Sequence, residues 1–229
     1  MVKILSDSTC DLSRELLEKY DISILPLHIL LGEKEYCDGV DITPDEIFQW
    51  SDAQKTTPKT SAPALDMAME MLEPFVKVKQ PVICFSISED MSTSANVMRM
   101  AASELEAEEL VTVIDSASLS TGIGLLVLHA AEMAQAGKTV EEIQTEIEEL
   151  KPKVRASFVV DTLVYLYRGG RCSGLAAMFG SALHLHPMIV VENGKMHSSK
   201  KYRGKLSKVI LDYAKDLKEQ MEQASSERV

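Results

Sequence analysis

The sequence predicts an α/β protein, a mostly parallel sheet flanked by helices, with a second, smaller α+β domain. Two observations carry this. Over the first two-thirds of the chain, short β-rich runs alternate with segments of helical periodicity, the grammar of repeated β-loop-α units. Past Pro152 that grammar gives way to a short helix and a hairpin around Asn193-Gly194, the strongest short turn signal. The expected division is therefore 1–152 for an α/β domain with a crevice at its strand ends, and 153–229 for the smaller domain.

Each element has a local reason. Val2-Lys3-Ile4-Leu5 opens the sheet, and Asp11-Leu12-Ser13 starts a helix with Leu16, Leu17 and Tyr20 on one face. Residues 22–31 are β-rich, with Pro26 at an edge or bend. Thr43-Pro44-Asp45-Glu46 reads as a capping box with proline at the first helical position. Thr60-Ser61-Ala62-Pro63 is expected to open the next helix, with Leu65, Met69, Leu72 and Phe75 at core spacing. Val82-Ile83-Cys84-Phe85 and Leu110-Val111-Thr112-Val113-Ile114 are further strands, followed by helices over 96–105 and 122–136. Gly137 stops the second of these, and Thr139-Val140-Glu141-Glu142 is another capping box. A strand over 154–160, a short helix over 161–168, the hairpin and a last helix over 206–217 complete the chain.

Bulk properties narrow the function. With 45% hydrophobic and 26% charged residues, the 229-residue chain carries enough apolar mass for a real core. Its 24 basic against 35 acidic side chains give a net charge of −11 and no basic stripe, so nucleic acid is not an expected partner. No apolar run is long enough to span a bilayer, and Lys3 and Asp7 interrupt any signal-peptide core. Cys10, Cys37, Cys84 and Cys172 are scattered with no C-x-x-C pair, which fits reduced thiols and a cytoplasmic protein without an integral membrane segment.

Three of the strands break into loops of Ser, Thr and Asp. These are Ser6-Asp7-Ser8-Thr9, Ser86-Ile87-Ser88 with Ser92-Thr93-Ser94, and Asp115-Ser116 with Ser118 and Ser120 behind it. In an open parallel sheet ligands bind beyond the carboxyl ends of the strands, so these loops point to a site that works by hydrogen bonds. The same residues also cap helices and fill turns, and the pattern alone leaves both readings open.

Catalytic and metal readings fare worse. Asp7-Ser8-Thr9-Cys10-Asp11 lacks the D-x-D spacing of an aspartyl-phosphate enzyme, and no G-x-S-x-G elbow occurs. Gly137-Lys138-Thr139 imitates a P-loop tail, but Glu132 stands where the upstream glycine belongs. His184 and His186 share a strand face without a third ligand, and structural roles are the expectation for them. His28 and His129 sit in apolar segments as packing residues. Cys172 lies beside Arg168 and Arg171, which would lower its pKa, yet a phosphatase-type loop needs an arginine where Met178 stands. What remains are hydroxyls and helix N-termini, parts for holding an anion. Thr60-Ser61 and Ser92-Thr93-Ser94 are the two expected helix starts. No metal and no cofactor is implied.

These residues resemble the DegV family. Ser6-Asp7-Ser8-Thr9-Cys10-Asp11-Leu12 is similar to its D-S-T-x-D-L start, and Asp38-Gly39-Val40-Asp41-Ile42 with Phe48 to its D-G-x-D-I…F segment. Thr60-Ser61-Ala62-Pro63 resembles T-S-x-P, and Ile114-Asp115-Ser116 resembles I-D-S. The run Leu163-Val164-Tyr165-Leu166-Tyr167-Arg168-Gly169-Gly170-Arg171 is similar to L-x-Y-L-x-x-G-G-R, with Lys201 and Arg203 in a later K-x-R. The resemblance implies a protein that binds one long-chain fatty acid between its two parts and presents the carboxylate to a partner, a fatty acid kinase catalytic subunit, without being an enzyme itself. It implies Thr60 and Ser92 as carboxylate contacts, with Ser61, Ser94 and Arg171 as further ligand-binding candidates. Thr93 stands where the family's L-S-G-T motif has glycine. The family also closes with a His-x-Gly-Pro-Gly segment, and this sequence ends at Ser226-Glu227-Arg228-Val229 without it, so a short or truncated second domain is expected.

Burying an acyl tail gains about 0.8 kcal/mol per methylene, and Met67, Met69, Met71 and Met178 are candidates for an adaptable lining. Arg168, Arg171, Lys201 and Arg203 are ligand-head or kinase-docking candidates, or solvated surface. The alternative function is a small phosphohydrolase with Asp7 as nucleophile.

Overall fold

The computed structural model describes residues 1–173, 185–222 and 224. Two compact units divide the chain, Met1–Val154 and Arg155–Val229. The first runs β1 (Lys3–Asp7), α1 (Arg14–Tyr20), β2 (Ile22–Leu25), β3 (His28–Leu31), β4 (Lys34–Cys37), α2 (Pro44–Gln54), β5 (Lys59–Ser61), α3 (Leu65–Lys77), β6 (Val82–Ser86), α4 (Ser94–Glu104), β7 (Val111–Asp115), α5 (Thr121–Gln135) and α6 (Val140–Leu150).

Its main sheet is parallel throughout, in the order β2-β1-β6-β7. From β1 the chain steps outward to β2, and from β6 it steps the other way to β7. Right-handed crossovers in opposite directions place their helices on opposite faces. One face accordingly packs Ile4, Ile83, Phe85 and Ile114 against α5 and α6 residues such as Ile123, Leu126, Val127 and Ile143. The other packs Leu5, Leu25, Cys84 and Val111 against Leu72 of α3 and Met98, Ala101 and Ala102 of α4. The point where the direction reverses, between β1 and β6, is where such sheets open a crevice at the carboxyl ends of their strands.

The capping boxes form where the sequence placed them. The Thr43 side chain accepts from Glu46 N–H, and Glu46 reaches back to Thr43 N–H at 2.8 Å; Thr139 and Glu142 repeat the arrangement. The segment 22–31 differs from expectation. Pro26 ends β2, and the chain then leaves the parallel sheet, so that β3 becomes the centre of a separate antiparallel sheet, β4-β3-β5. That small sheet buries Ile29, Leu31 and Ile42 against Ile47 and Trp50.

Thr60-Ser61 does not open a helix. Both belong to β5, opposite Ile29 and His28, and α3 begins at Leu65 after Ala64. His28 steers this strand-to-helix passage, because its Nε2 accepts Ala64 N–H at 3.1 Å. With Nε2 accepting, the ring proton sits on Nδ1, 2.9 Å from Glu35 Oε1.

The second unit comprises β8 (Ala156–Val159), α7 (Val164–Gly169), β9 (Cys172–Ser173), β10 (Leu185–Glu192), β11 (Lys195–Arg203) and α8 (Leu206–Met221). Its sheet runs β8-β10-β11-β9, with the hairpin turning at Asn193-Gly194, both at positive φ. Met188, Tyr202 and Val209 form its core. Tyr202 and Lys200 both donate to Asp216 Oδ2, at 2.5 and 2.6 Å. That ties α8 to β11 and holds the Asp216 carboxyl below its usual value, the Lys200 hydrogen bond being the larger cause.

Gly124 is needed where α5 crosses the turn after β1. A Cβ there would lie 2.8 Å from the Cys10 carbonyl oxygen and 3.0 Å from Leu12 Cδ2. Gly124→Ala gains about 1 kcal/mol of helix propensity and loses about 1–3 kcal/mol to overpacking against backbone. The expected result is a lowered Tm, by roughly 2–4 °C per kcal/mol for a unit of this size; a raised Tm would place α5 elsewhere. Cys84, in the middle of the sheet with no exposure, has its thiol pushed up to about 12 by burial. Iodoacetamide at pH 8 should label half-buried Cys37 in the native protein and Cys84 only after denaturation, as read by peptide mass mapping.

Candidate functional site

The strand-end loops meet at Asp7. Among the described residues Asp7 is the only buried carboxylate, with no exposed surface. Its Oδ1 accepts Thr9 N–H at 3.2 Å and the Thr9 hydroxyl at 2.5 Å, and its Oδ2 accepts Ile87 N–H at 2.9 Å from the loop after β6. Burial pushes the Asp7 carboxyl above its ordinary value, and the Thr9 and Ile87 donors pull it back only in part. The Ile87 bond spans the gap between β1 and β6, across the point where the sheet reverses its winding.

The loop after β6 is built on that anchor. Met91 N–H and Ser92 N–H both donate to the Ser88 carbonyl, at 2.9 and 3.1 Å, winding the chain into a turn just ahead of α4. Ser92 Oγ accepts Ser94 N–H at 3.3 Å and lies 2.9 Å from Ser94 Oγ. Ser92 is half-buried and Ser94, the first residue of α4, is buried. Ser92 thus stands as a hydroxyl at a helix N-terminus, where unpaired N–H groups and the helix dipole favour an anion.

The third loop is a support. Asp115 Oδ1 accepts Ala117 N–H at 2.9 Å and Glu89 N–H at 3.2 Å. Ser118 N–H donates to Ser116 Oγ at 3.1 Å, and the Ser118 carbonyl accepts Ser88 N–H at 3.0 Å. Ala117 and Ser120 are held at φ of 49° and 53°, a strained conformation that this bonding compensates. Ser8 likewise has a structural partner on each side, donating to Asp38 Oδ2 at 2.7 Å and accepting Leu27 N–H at 3.1 Å. The Ser6 and Ser86 hydroxyls, both fully buried, have no hydrogen-bond partner among the described residues.

Of the residues singled out from sequence, Ser92 and Ser94 are brought together. Thr60 and Ser61 are exposed on β5, in the small sheet that leads into α3. Arg171 is exposed in the second unit, where its Nη1 donates to the Gly169 carbonyl at 2.7 Å. Arg168, Lys201 and Arg203 are exposed too. The Cys172 thiol is raised by burial; the lowering expected from Arg168 and Arg171 is corrected accordingly. Buried His186 has Nδ1 2.8 Å from Val160 O and Nε2 3.1 Å from Gly204 O, so backbone engages both sides of the ring. His184 and Met178 lie outside the described residues. Met67, Met69 and Met71 pack partly buried against the α3–α4 core.

Sequence reasoning missed the anchoring of the Ser92 loop by Asp7 and the role of His28. Asp7 is also poorly placed as a phosphohydrolase nucleophile, since both its oxygens are engaged and neither reaches solvent.

Known proteins place the chain. Residues 1–229 match the family described as "Uncharacterised protein, DegV family". A DegV domain-containing protein of Clostridium perfringens is 36% identical over 213 residues, covering 92% of this chain and 76% of its own. A crystal structure from Eubacterium ventriosum, described as a stearic-acid-binding protein, superposes with a TM-score of 0.87 at 35% identity, over 97% of this chain and 79% of that one. A DegV family protein from Thermus thermophilus, described through its fatty acid binding, gives 0.78 at 31% identity over 89% and 72%. With the whole sequence matched and the parallel sheet in place, this chain belongs to the DegV family.

Proposed function

We propose that this chain binds a single long-chain fatty acid, holding the carboxylate by hydroxyls and the tail in an apolar tunnel, and that it serves as a carrier. The observation that carries the reading is the likeness to the Eubacterium ventriosum protein, described as binding stearic acid, over 97% of this chain. The local chemistry agrees with it. Ser92 stands at the start of α4, where hydroxyl and N–H donors suit a carboxylate, and charge-assisted hydrogen bonds are the strong kind. Thr60 on β5, with Ser61 beside it, is the second proposed contact. The tail supplies most of the affinity at about 0.8 kcal/mol per buried methylene, and the Met-rich face of α3 is the proposed adaptable part of its enclosure.

A carrier needs a partner that acts on its cargo. We place a fatty acid kinase catalytic subunit in that role, with the exposed cations Arg168, Arg171, Lys201 and Arg203 as its docking candidates, and the protein in the cytoplasm. No helix among the described residues is long and apolar enough to cross a membrane.

Denaturing the purified protein, extracting it with organic solvent and weighing the extract by mass spectrometry should yield one fatty acid per chain. An empty extract, together with failure of the delipidated protein to take up any fatty acid, would overturn the reading. Thr60→Ala and Ser92→Ala should each weaken acyl binding by about ten- to a hundredfold, one hydrogen bond to a charged group being about 1.5–3 kcal/mol, with Tm unchanged. If both variants bind as the parent does, the head group is held elsewhere.

A further inference from the structure

The joint between β5 and α3 carries the proposed Thr60 contact, and little within the joint holds it. Lys59, Thr60 and Ser61, the whole of β5, are exposed, so no buried side chain anchors the strand. It lies at the edge of its sheet and pairs with β3 alone, Thr60 opposite Ile29 and Ser61 opposite His28. Ala62, Pro63 and Ala64 then lead into α3. Proline has no N–H to give. Ala64, the N-cap of α3, makes no side-chain cap, and alanine is among the poorest residues for that position.

His28 supplies what the joint lacks. Its Nε2 accepts Ala64 N–H at 3.1 Å, while the Ala64 carbonyl receives Ala68 N–H at 3.1 Å in the first turn of α3. Ala64 is thereby held by the small sheet through its N–H and by the helix through its carbonyl. The same histidine meets the segment at both ends, as the register partner of Ser61 and as the acceptor for Ala64. Its side chain is only 13% exposed, so water is a poor substitute for it. The other ring nitrogen, Nδ1, lies 2.9 Å from Glu35 Oε1 but off the line of a hydrogen bond. Among the described residues the Ala64 bond is therefore the directed contact of the ring.

We infer that His28 is a positioning residue for the proposed head-group site: its Nε2 acceptor fixes the β5–α3 joint, and with it the Thr60 hydroxyl. This rests on the reading of Thr60 as a carboxylate contact. Ser92 stands on a different footing. Its loop is fixed by Ile87 N–H on Asp7 at 2.9 Å and by the turn closed on the Ser88 carbonyl. The two proposed contacts are thus set by separate anchors, one a histidine ring in the small sheet and the other a buried carboxylate in the parallel one. Loss of the His28 acceptor should therefore act through Thr60 and leave the Ser92 contact as it is.

Glutamine carries an amide oxygen about as far along its side chain as histidine Nε2, whereas the asparagine amide reaches only as far as Nδ1. Calorimetric titration of the delipidated full chain with dodecanoate, below its micellar concentration and at pH 8, uses that difference. His28→Asn should raise Kd by about three- to tenfold, the worth of one neutral hydrogen bond. His28→Leu, with similar bulk and no acceptor, should do the same. His28→Gln should stay within about twofold of the parent, the spread of independent sites. Added to Thr60→Ala, His28→Asn should cost less than about twofold more, because the contact it positions is already gone. Added to Ser92→Ala it should cost its full factor. Parent-like binding by His28→Asn and His28→Leu overturns the inference, as does a His28→Gln protein as weak as His28→Asn. A loss that adds in full to Thr60→Ala marks a general loosening of the chain and overturns it too. Failure of the parent to bind dodecanoate overturns the fatty-acid reading itself.

Discussion

The Asp7 carboxylate, fully buried where the sheet reverses its winding, is the constraint on which the site depends. Burying a carboxylate is costly unless it is fully hydrogen-bonded. Here the compensation comes from the two chain segments that leave the sheet at that point, through Thr9 after β1 and Ile87 after β6. Parallel strands that end side by side leave N–H groups beyond the last rung of the ladder with nothing to pair. Asp7 collects these donors. In doing so it fixes the exit of both loops, including the one that carries Ser92 and Ser94 into α4.

That anchor works because the rest of the unit brings backbone close to backbone. On one face of β1, α5 presents Gly124 to the turn that follows Asp7, near enough that a methyl group would strike the Cys10 carbonyl. On the other face, α4 offers Ala95, Ala101 and Ala102, all fully or nearly buried. Small residues at these contacts let the helices seat closely on the sheet, in which Asp7 is buried. The desolvation that follows is what moves its pKa. Packing and burial are therefore one chain of cause.

What the sequence discloses depends on how local the cause is. The two capping boxes, the Asn193-Gly194 turn and the three parallel strands follow from neighbouring residues, and they stand where the periodicity placed them. Strands β4 and β5 were not legible. Lys59-Thr60-Ser61 is polar and exposed, without the alternation that marks a strand, and it pairs with β3 about thirty residues away. Thr60 therefore looked like a helix start when it is a strand residue, and its importance came from resemblance alone. Ser92 and Ser94 were legible as a hydroxyl pair at a helix start. The anchoring of their loop on Asp7 through Ile87 was not, because it depends on the register of β1 against β6.

The same arrangement bears on how a chain with a net charge of −11 would take the proposed anionic head group, and of which kind. The proposed contacts are hydroxyls and N–H groups without fixed positive charge, so the attraction is short-ranged and directional. Behind them lies a buried carboxylate whose charge is weakly screened in a low-dielectric interior. At the proposed site a monocarboxylate would be favoured over a phosphate dianion, because a second charge would face the buried Asp7 carboxylate with no cation in the Ser92 loop. Chain length would be left to the proposed apolar enclosure, where each methylene counts about equally.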